Sequence, residues 1–178
     1  MLDALPHLVS EVPDVCVIFA CRLRSASDQE REGEIRLAVE TMGLTRNVLY
    51  LNLVTDMEGL IGASDLVALP LQTMRDKLDI PTTLLESLAA GKPIVISDLS
   101  PMNELITGTD SHATPSQEVG LVVPPGDAKA LADSAAALLS DPGLRKQMGQ
   151  QGQVLVQTRF DVHRAANQYA ELYREMVQ

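Results

Sequence analysis

A chain of 178 residues has room for one good hydrophobic core rather than two. Its net charge of −10, with 3% aromatic residues and no Trp, argues against a basic, base-stacking nucleic-acid surface and against adhesion to anionic lipid. The 46% hydrophobic and 21% charged residues are those of a soluble globular chain, with no apolar run near the roughly 20 residues of a membrane span.

The start, Met1-Leu2-Asp3-Ala4-Leu5-Pro6, lacks the basic and apolar regions of a signal peptide, so a cytoplasmic location is the expectation. Leu2, Leu5, Leu8 and Val9 suggest a helix whose start Pro6 marks. Val15 to Ala20 reads as a strand apolar on both faces. Cys16 and Cys21 flank that run without a second Cys pair or a nearby His, and are expected as buried reduced thiols. The polar stretch from Arg22 to Asp28 is a loop. From Gln29 to Met42, Ile35, Leu37, Ala38, Val39 and Met42 mark one side of a helix that Gly43 ends. Val48 to Leu53 is a second strand, Asp56 caps a helix to about Ala63, and Leu66 to Pro70 is a third strand before a polar loop.

The next stretch, Asp79 to Asp98, is the most strongly punctuated. Pro81 fits a turn, and Thr82 or Thr83 can cap the helix that follows. Gly91 supplies the left-handed stop, and Pro93 keeps the helix from resuming. Ile94 to Ser97 is a strand covered on both faces. Met102 to Ile106 is a short helix holding Glu104, Gly108 to Glu118 a polar surface loop, and Gly120 to Pro124 the last strand. Asp127, Pro142 and Asp161 then open three helices, the first with Ala130, Leu131, Ser134, Ala135 and Leu138 inward and the last spanning about 161–176. Short strands alternate with helices throughout, without repeats or linkers. The expected class is α/β, one domain over residues 1–178, with a parallel sheet and helices on both faces.

Several residues carry two readings. Glu86, one turn into its helix, serves either as a dipole partner or as an acceptor for a sugar diol at the ligand-binding end of the sheet. Thr82 and Thr83 are caps or phosphate ligands. Lys77 and Arg75 are solvated loop charges, unless Lys77 turns inward to a phosphate. His7, His112 and His163 are scattered surface residues, and no metal-ligand set is visible.

In order, the strings ASDLVALP, LLESLAAGKPIVISD, NELI and GLVVPPGDAKALADSAAALLSDP resemble the donor-binding half of the retaining GT-B glycosyltransferases of the group-1 family. The RFD before the last helix, with Tyr169 and Tyr173 in it, is similar to the family's ending. Any one string alone is a weak signal; their order and separations are specific. The resemblance implies a Rossmann-like three-layer αβα domain that binds a nucleotide-diphosphate sugar without a metal or other cofactor. It implies that Glu86 receives the ribose hydroxyls and that backbone N–H groups of Ile80, Pro81's turn, Thr82 and Thr83 face the diphosphate. Leu53 and Val54 match the segment that meets the nucleobase. Glu104 matches the acidic residue of the family's short helix.

Two departures qualify the expectation. The family commonly has a Glu eight residues before the position of Glu86, against the transferred hexose; here that position is Leu78, with Asp79 adjacent. The family's half-domain also opens with a strand ending in Gly-Arg and then a Lys-Gly pair, which neutralise the departing diphosphate; the string here begins at the helix after it. Arg22 and Arg24 do not replace them. No catalytic residue is therefore assigned, and an acceptor-binding N-terminal domain or subunit is expected as partner. Without its first strand the sheet must close up, leave a gap or accept a strand from elsewhere. The alternative to a transferase half is a non-catalytic interaction module on the same fold. An oxidoreductase ranks last, since no strand is followed by Gly-x-Gly-x-x-Gly.

Overall fold

The computed structural model describes residues 1–74, 80–107 and 119–176. The architecture is α/β with parallel strands, as the alternation predicts. A 3-10 turn at Leu2–Ala4 leads into α1 (Leu5–Glu11), with Pro6 in its first turn where a missing N–H is harmless. The strands are β1 (Val17–Ala20), β2 (Val48–Leu51), β3 (Val67–Leu69), β4 (Ile94–Ser97) and β5 (Gly120–Val123). Between and after them lie α2 (Ala26–Thr41), α3 (Met57–Ala63), α4 (Thr82–Ala89), α5 (Glu104–Thr107), α6 (Ala128–Ser140), α7 (Pro142–Arg159) and α8 (Val162–Met176).

β4 is the axis of the core. All four of its residues are buried, between β3 and β5 in parallel register. Its side chains alternate between two apolar layers. Val95 joins Val123 with Ala4 and Leu8 of α1 and Leu131, Ala132, Ala135 and Leu138 of α6. Ile94 and Ile96 join Leu84 and Leu88 of α4, Met102, Leu105, Val119 and Leu155. α7 closes the second layer by lying against α4 at two glycines. A Cβ on Gly149 would collide with the Gly91 carbonyl, and one on Gly152 would come within 2.8 Å of Leu88. Gly91 itself has φ +71°, the left-handed stop expected after α4, and Lys92 N–H closes on Ser87 O at 2.9 Å.

The sheet is interrupted. Among the described residues β1 pairs only with β2, and β3, β4 and β5 form a separate sheet. Of the three outcomes a missing first strand allows, the gap is the one adopted. Val15 and Val17 nevertheless pack on the same apolar layer as Leu66 and Ala68, so β1 is the strand of its pair nearer β3.

Several residues depart from expectation in the β1–β2 part. Cys16 and Cys21 are exposed rather than buried, because the β1–β2 pair is covered less completely than β4. On α2 the inward residues are Glu32, Ile35, Ala38 and Val39. Leu37 and Met42, expected in the same stripe, are 65% and 40% exposed. α2 also begins earlier than its apolar pattern. Ser25 accepts from Asp28 N–H at 3.2 Å, and Asp28 Oδ2 accepts from Arg24 and Ser25 N–H at 2.8 and 2.9 Å, a capping box inside the stretch expected as loop. Asp56, Asp127, Asp141 and Asp161 each accept a first-turn N–H at the starts of α3, α6, α7 and α8.

Candidate nucleotide-binding end of the sheet

In a strand–helix–strand crossover the helix returns antiparallel to the strands, so α4 starts at the carboxyl end of β3. This is the end where open α/β sheets hold ligands. The start of α4 departs from expectation in one respect. Its N-cap is Pro81, which has no side-chain acceptor, and neither Thr82 nor Thr83 caps the helix. A threonine already inside the first turn has its hydroxyl beside the helix rather than below it, out of reach of the orphan donors. Leu84 N–H reaches Pro81 O at 2.9 Å; the N–H groups of Thr82 and Thr83 have no acceptor among the described residues. Ser87 Oγ is spent on Thr83 O at 2.6 Å.

Thr82 and Glu86 lie one turn apart on the exposed side of α4, while Leu84, Ser87 and Leu88 face inward. Among the described residues nothing hydrogen-bonds or ion-pairs with the Glu86 carboxylate. Lys77, Arg75, Leu78, Asp79 and His112 fall outside the described residues.

The second group of expected residues sits after β2. Leu53 and Val54 line an open depression of about 420 Å³, together with Tyr50, Leu51, Asn52, Thr55, Asp56 and Leu60. Leu53 is 65% exposed. α3 packs against α4, placing this depression and the start of α4 in one neighbourhood. Sequence reading missed the residues that shape it. Asn52 Oδ1 accepts from Leu23 N–H at 2.8 Å, tying the loop after β1 to the loop after β2. Tyr50 stacks on Phe19 at 5.7 Å between ring centroids, with the Arg36 guanidinium 3.9 Å from the Tyr50 ring centroid and held by Glu32 at 2.7 Å. Burial pushes the Tyr50 phenol above its usual range, partly offset by the Arg36 charge. The signal was present as Arg and Tyr inside two apolar-looking segments, but nothing in a linear string pairs Arg36 with Tyr50.

Glu104 and Asp98 do structural work. Ser100 Oγ donates to Glu104 Oε1 at 2.6 Å, and Asn103 Nδ2 donates to Asp98 Oδ1 at 2.8 Å, bracing the turn after β4. His7 and His163 are exposed. Among the described residues no group of three or more His, Cys, Asp or Glu has metal-site geometry, and no helix is long and apolar enough to cross a membrane.

This fold is of the Rossmann-like class, in which ligands bind at the carboxyl ends of the strands. The sequence profile of glycosyl transferases group 1 matches residues 1–141, and the chain belongs to that family. Among curated relatives it is 28% identical over 146 residues to the lipopolysaccharide core biosynthesis mannosyltransferase LpsB of Rhizobium meliloti, covering 82% of this chain and 39% of the relative. It is 30% identical over 175 residues to a phosphatidyl-myo-inositol mannosyltransferase of Mycobacterium leprae, covering 97% and 41%. The chain thus spans about two fifths of these relatives. Its fold resembles Anabaena HepE in complex with UDP, with TM-score 0.82 and 23% identity over 98% of this chain and 44% of that one. It also resembles the C-terminal domain of a group 1 family glycosyl transferase, LpcC, from Francisella tularensis, with TM-score 0.74, 21% identity, and 90% and 77% coverage.

Proposed function

We propose that this chain is the donor-binding half of a retaining glycosyltransferase, taking a nucleotide-diphosphate sugar and passing the sugar to an acceptor hydroxyl held by another domain or subunit. The observation that carries the reading is the start of α4, where the N–H donors of Thr82 and Thr83, unspent among the described residues, stand beside a Glu86 carboxylate that has no partner among them. A helix N-terminus with free N–H groups attracts a diphosphate, while a carboxylate one turn along would repel it and instead accept from vicinal hydroxyls. Glu86 is therefore assigned to the ribose, Pro81, Thr82 and Thr83 to the diphosphate turn, Lys77 to the same phosphates, and Leu53 and Val54 to the nucleobase. The relatives' printed activities, two mannosyltransferases among them, support sugar transfer, and the complex of HepE with UDP supports a nucleotide ligand. The reading places the protein in the cytoplasm and needs no resident metal.

Isothermal titration with UDP, GDP and ADP, with and without EDTA, tests it. One nucleotide should bind without added metal. Glu86→Gln should weaken it about tenfold, or ~1.4 kcal/mol, by losing charge-assisted hydrogen bonds to the ribose. Absence of heat with all three at millimolar concentration would sink the binding claim. That outcome would leave the second reading, a non-catalytic interaction module. The apolar, exposed stripe Val162, Tyr169, Leu172, Tyr173 and Met176 on α8 favours it, since a helix end to end without a buried residue has a face ready for a partner.

A further inference from the structure

The depression after β2 carries an uneven set of polar groups. Asn52 Oδ1 accepts from Leu23 N–H at 2.8 Å, which fixes how the amide is turned, because only its oxygen can accept. The Asn52 amino group is therefore its free end, a pair of donors without an acceptor among the described residues. Asp56 Oδ1 accepts from Gly59 N–H at 2.7 Å. Gly59 makes room for the other carboxylate oxygen, since a Cβ at that position would collide with Asp56 Oδ2. A carboxylate oxygen only accepts, and among the described residues no donor reaches Oδ2. Both side chains line the same depression of about 420 Å³, where Leu53, Val54 and Leu60 supply apolar surface for a ring. Its one charged lining residue among those described is Asp56, so it repels a phosphate and suits the uncharged end of a nucleotide.

We infer that Asn52 and Asp56 read guanine, so that the donor is a guanosine-diphosphate sugar; the inference rests on the nucleotide site proposed above and names its base. The Watson–Crick edge of guanine presents one acceptor, O6, followed by two donors, N1–H and the 2-amino group. The Asn52 amino group meets the acceptor. The Asp56 carboxylate accepts from both donors, a paired and charge-assisted contact, and keeps a lone pair of Oδ1 for Gly59 N–H. Uracil matches worse, because its N3–H lies between two carbonyl oxygens and the second of them faces the carboxylate. Adenine turns its 6-amino donors towards the Asn52 donors and an unprotonated N1 towards Asp56. Cytosine has the same two conflicts. Of the common bases only guanine runs acceptor, donor, donor. Asn52 and Asp56 are thereby specificity residues, remote from the sugar that is transferred. Both are exposed, so water competes for their hydrogen bonds and discrimination stays at about tenfold to a hundredfold.

Isothermal titration of the 178-residue chain with GDP, IDP, UDP and ADP tests this. GDP should bind about tenfold or more tighter than UDP and ADP. Inosine diphosphate keeps O6 and N1–H but lacks the 2-amino group, and should bind about fivefold weaker than GDP. Asp56→Asn retains a capping acceptor for Gly59 N–H, so α3 should stay formed. That variant should erase the difference between GDP and IDP and leave UDP within about twofold of its wild-type affinity. Asn52→Asp retains an acceptor for Leu23 N–H but sets a carboxylate against O6. It should weaken GDP about tenfold and leave ADP, which offers its 6-amino group there, no weaker than before. UDP or ADP binding as tightly as GDP, or a GDP–IDP difference that survives Asp56→Asn, overturns the guanine assignment and leaves the nucleotide site standing. Absence of heat with all four nucleotides removes the site itself, and the assignment with it.

Discussion

β4 and β1 are both four-residue apolar strands in parallel pairs, yet every residue of β4 is buried and no residue of β1 is. The difference lies in neighbours rather than composition. β4 has a strand on each side and packed helices on each face; among the described residues β1 has a strand on one side only. Val-Ile-Phe-Ala and Ile-Val-Ile-Ser are near-equivalent strings, and local sequence says little about which will end up at an interrupted edge. The sealed part, β3–β5 with α4, α6 and α7, gets its order from packing. The open part, β1–β2 with α2, depends more on caps and on local side-chain hydrogen bonds.

Removing the same kind of group from each part should give unequal losses. Ile96→Ala should cost about 2–5 kcal/mol in chemical denaturation, because the cavity sits in a fully enclosed layer. Leu37→Ala on α2 should stay within about 0.5 kcal/mol, given a side chain that is mostly in water. Comparable losses would break the contrast. Glycines sharpen it by changing sign. Gly149→Ala should destabilise by about 1–3 kcal/mol, since its new methyl meets the Gly91 carbonyl. Gly33→Ala, mid-helix in α2 with nothing within 4 Å, should stabilise by about 0.5–1 kcal/mol. Thermal melts of the two variants side by side would read this directly.

The α2 cap is a further test in the open part. Ser25→Ala should cost about 1 kcal/mol. Asp28, in the same box, is held below the usual carboxylate range by the Arg24 N–H and then by Ser25. A depressed folded value means that its contribution is present above the unfolded value, about 3.9, and is lost as the pH falls through the folded one. The stability gap between wild type and Asp28→Ala should therefore be open at pH 7 and close in acid, measured by denaturation midpoints across that window.

The residues from 80 to 98 could be read nearly in full, because Pro81, Gly91 and Pro93 are punctuation and the β-branched run is unambiguous. Asp56, Asp127, Pro142 and Asp161 marked helix starts for the same reason. The Thr82 and Thr83 caps were misplaced by a residue or two, a shift within the ordinary uncertainty of helix boundaries, but one that changes which donors are left free. Ser25 and Asp28 were a capping box hidden by the polar residues around them. The exposure of Cys16, Cys21, Leu37 and Met42 depends on which elements pack against β1–β2 and α2, and no window of local sequence records that. At the candidate site, Glu86, Leu53 and Val54 were legible by position along the chain. Asn52 and the Arg36–Tyr50 stack were not, because their partners lie 29 and 14 residues away.

α7 has 18 residues and so runs about 27 Å. Along that length it touches three things. Near its start Arg145 donates to Leu138 O and Leu139 O and meets Asp65 at 3.2 Å; midway Gly149 abuts the Gly91 carbonyl; further on Gln153 donates to Ala89 O at 3.2 Å. It is a splint fixed to the C-terminal end of α4, by main-chain contact at Gly149 and by the Gln153 side chain. A shift of that end of α4 therefore has to carry α7 with it.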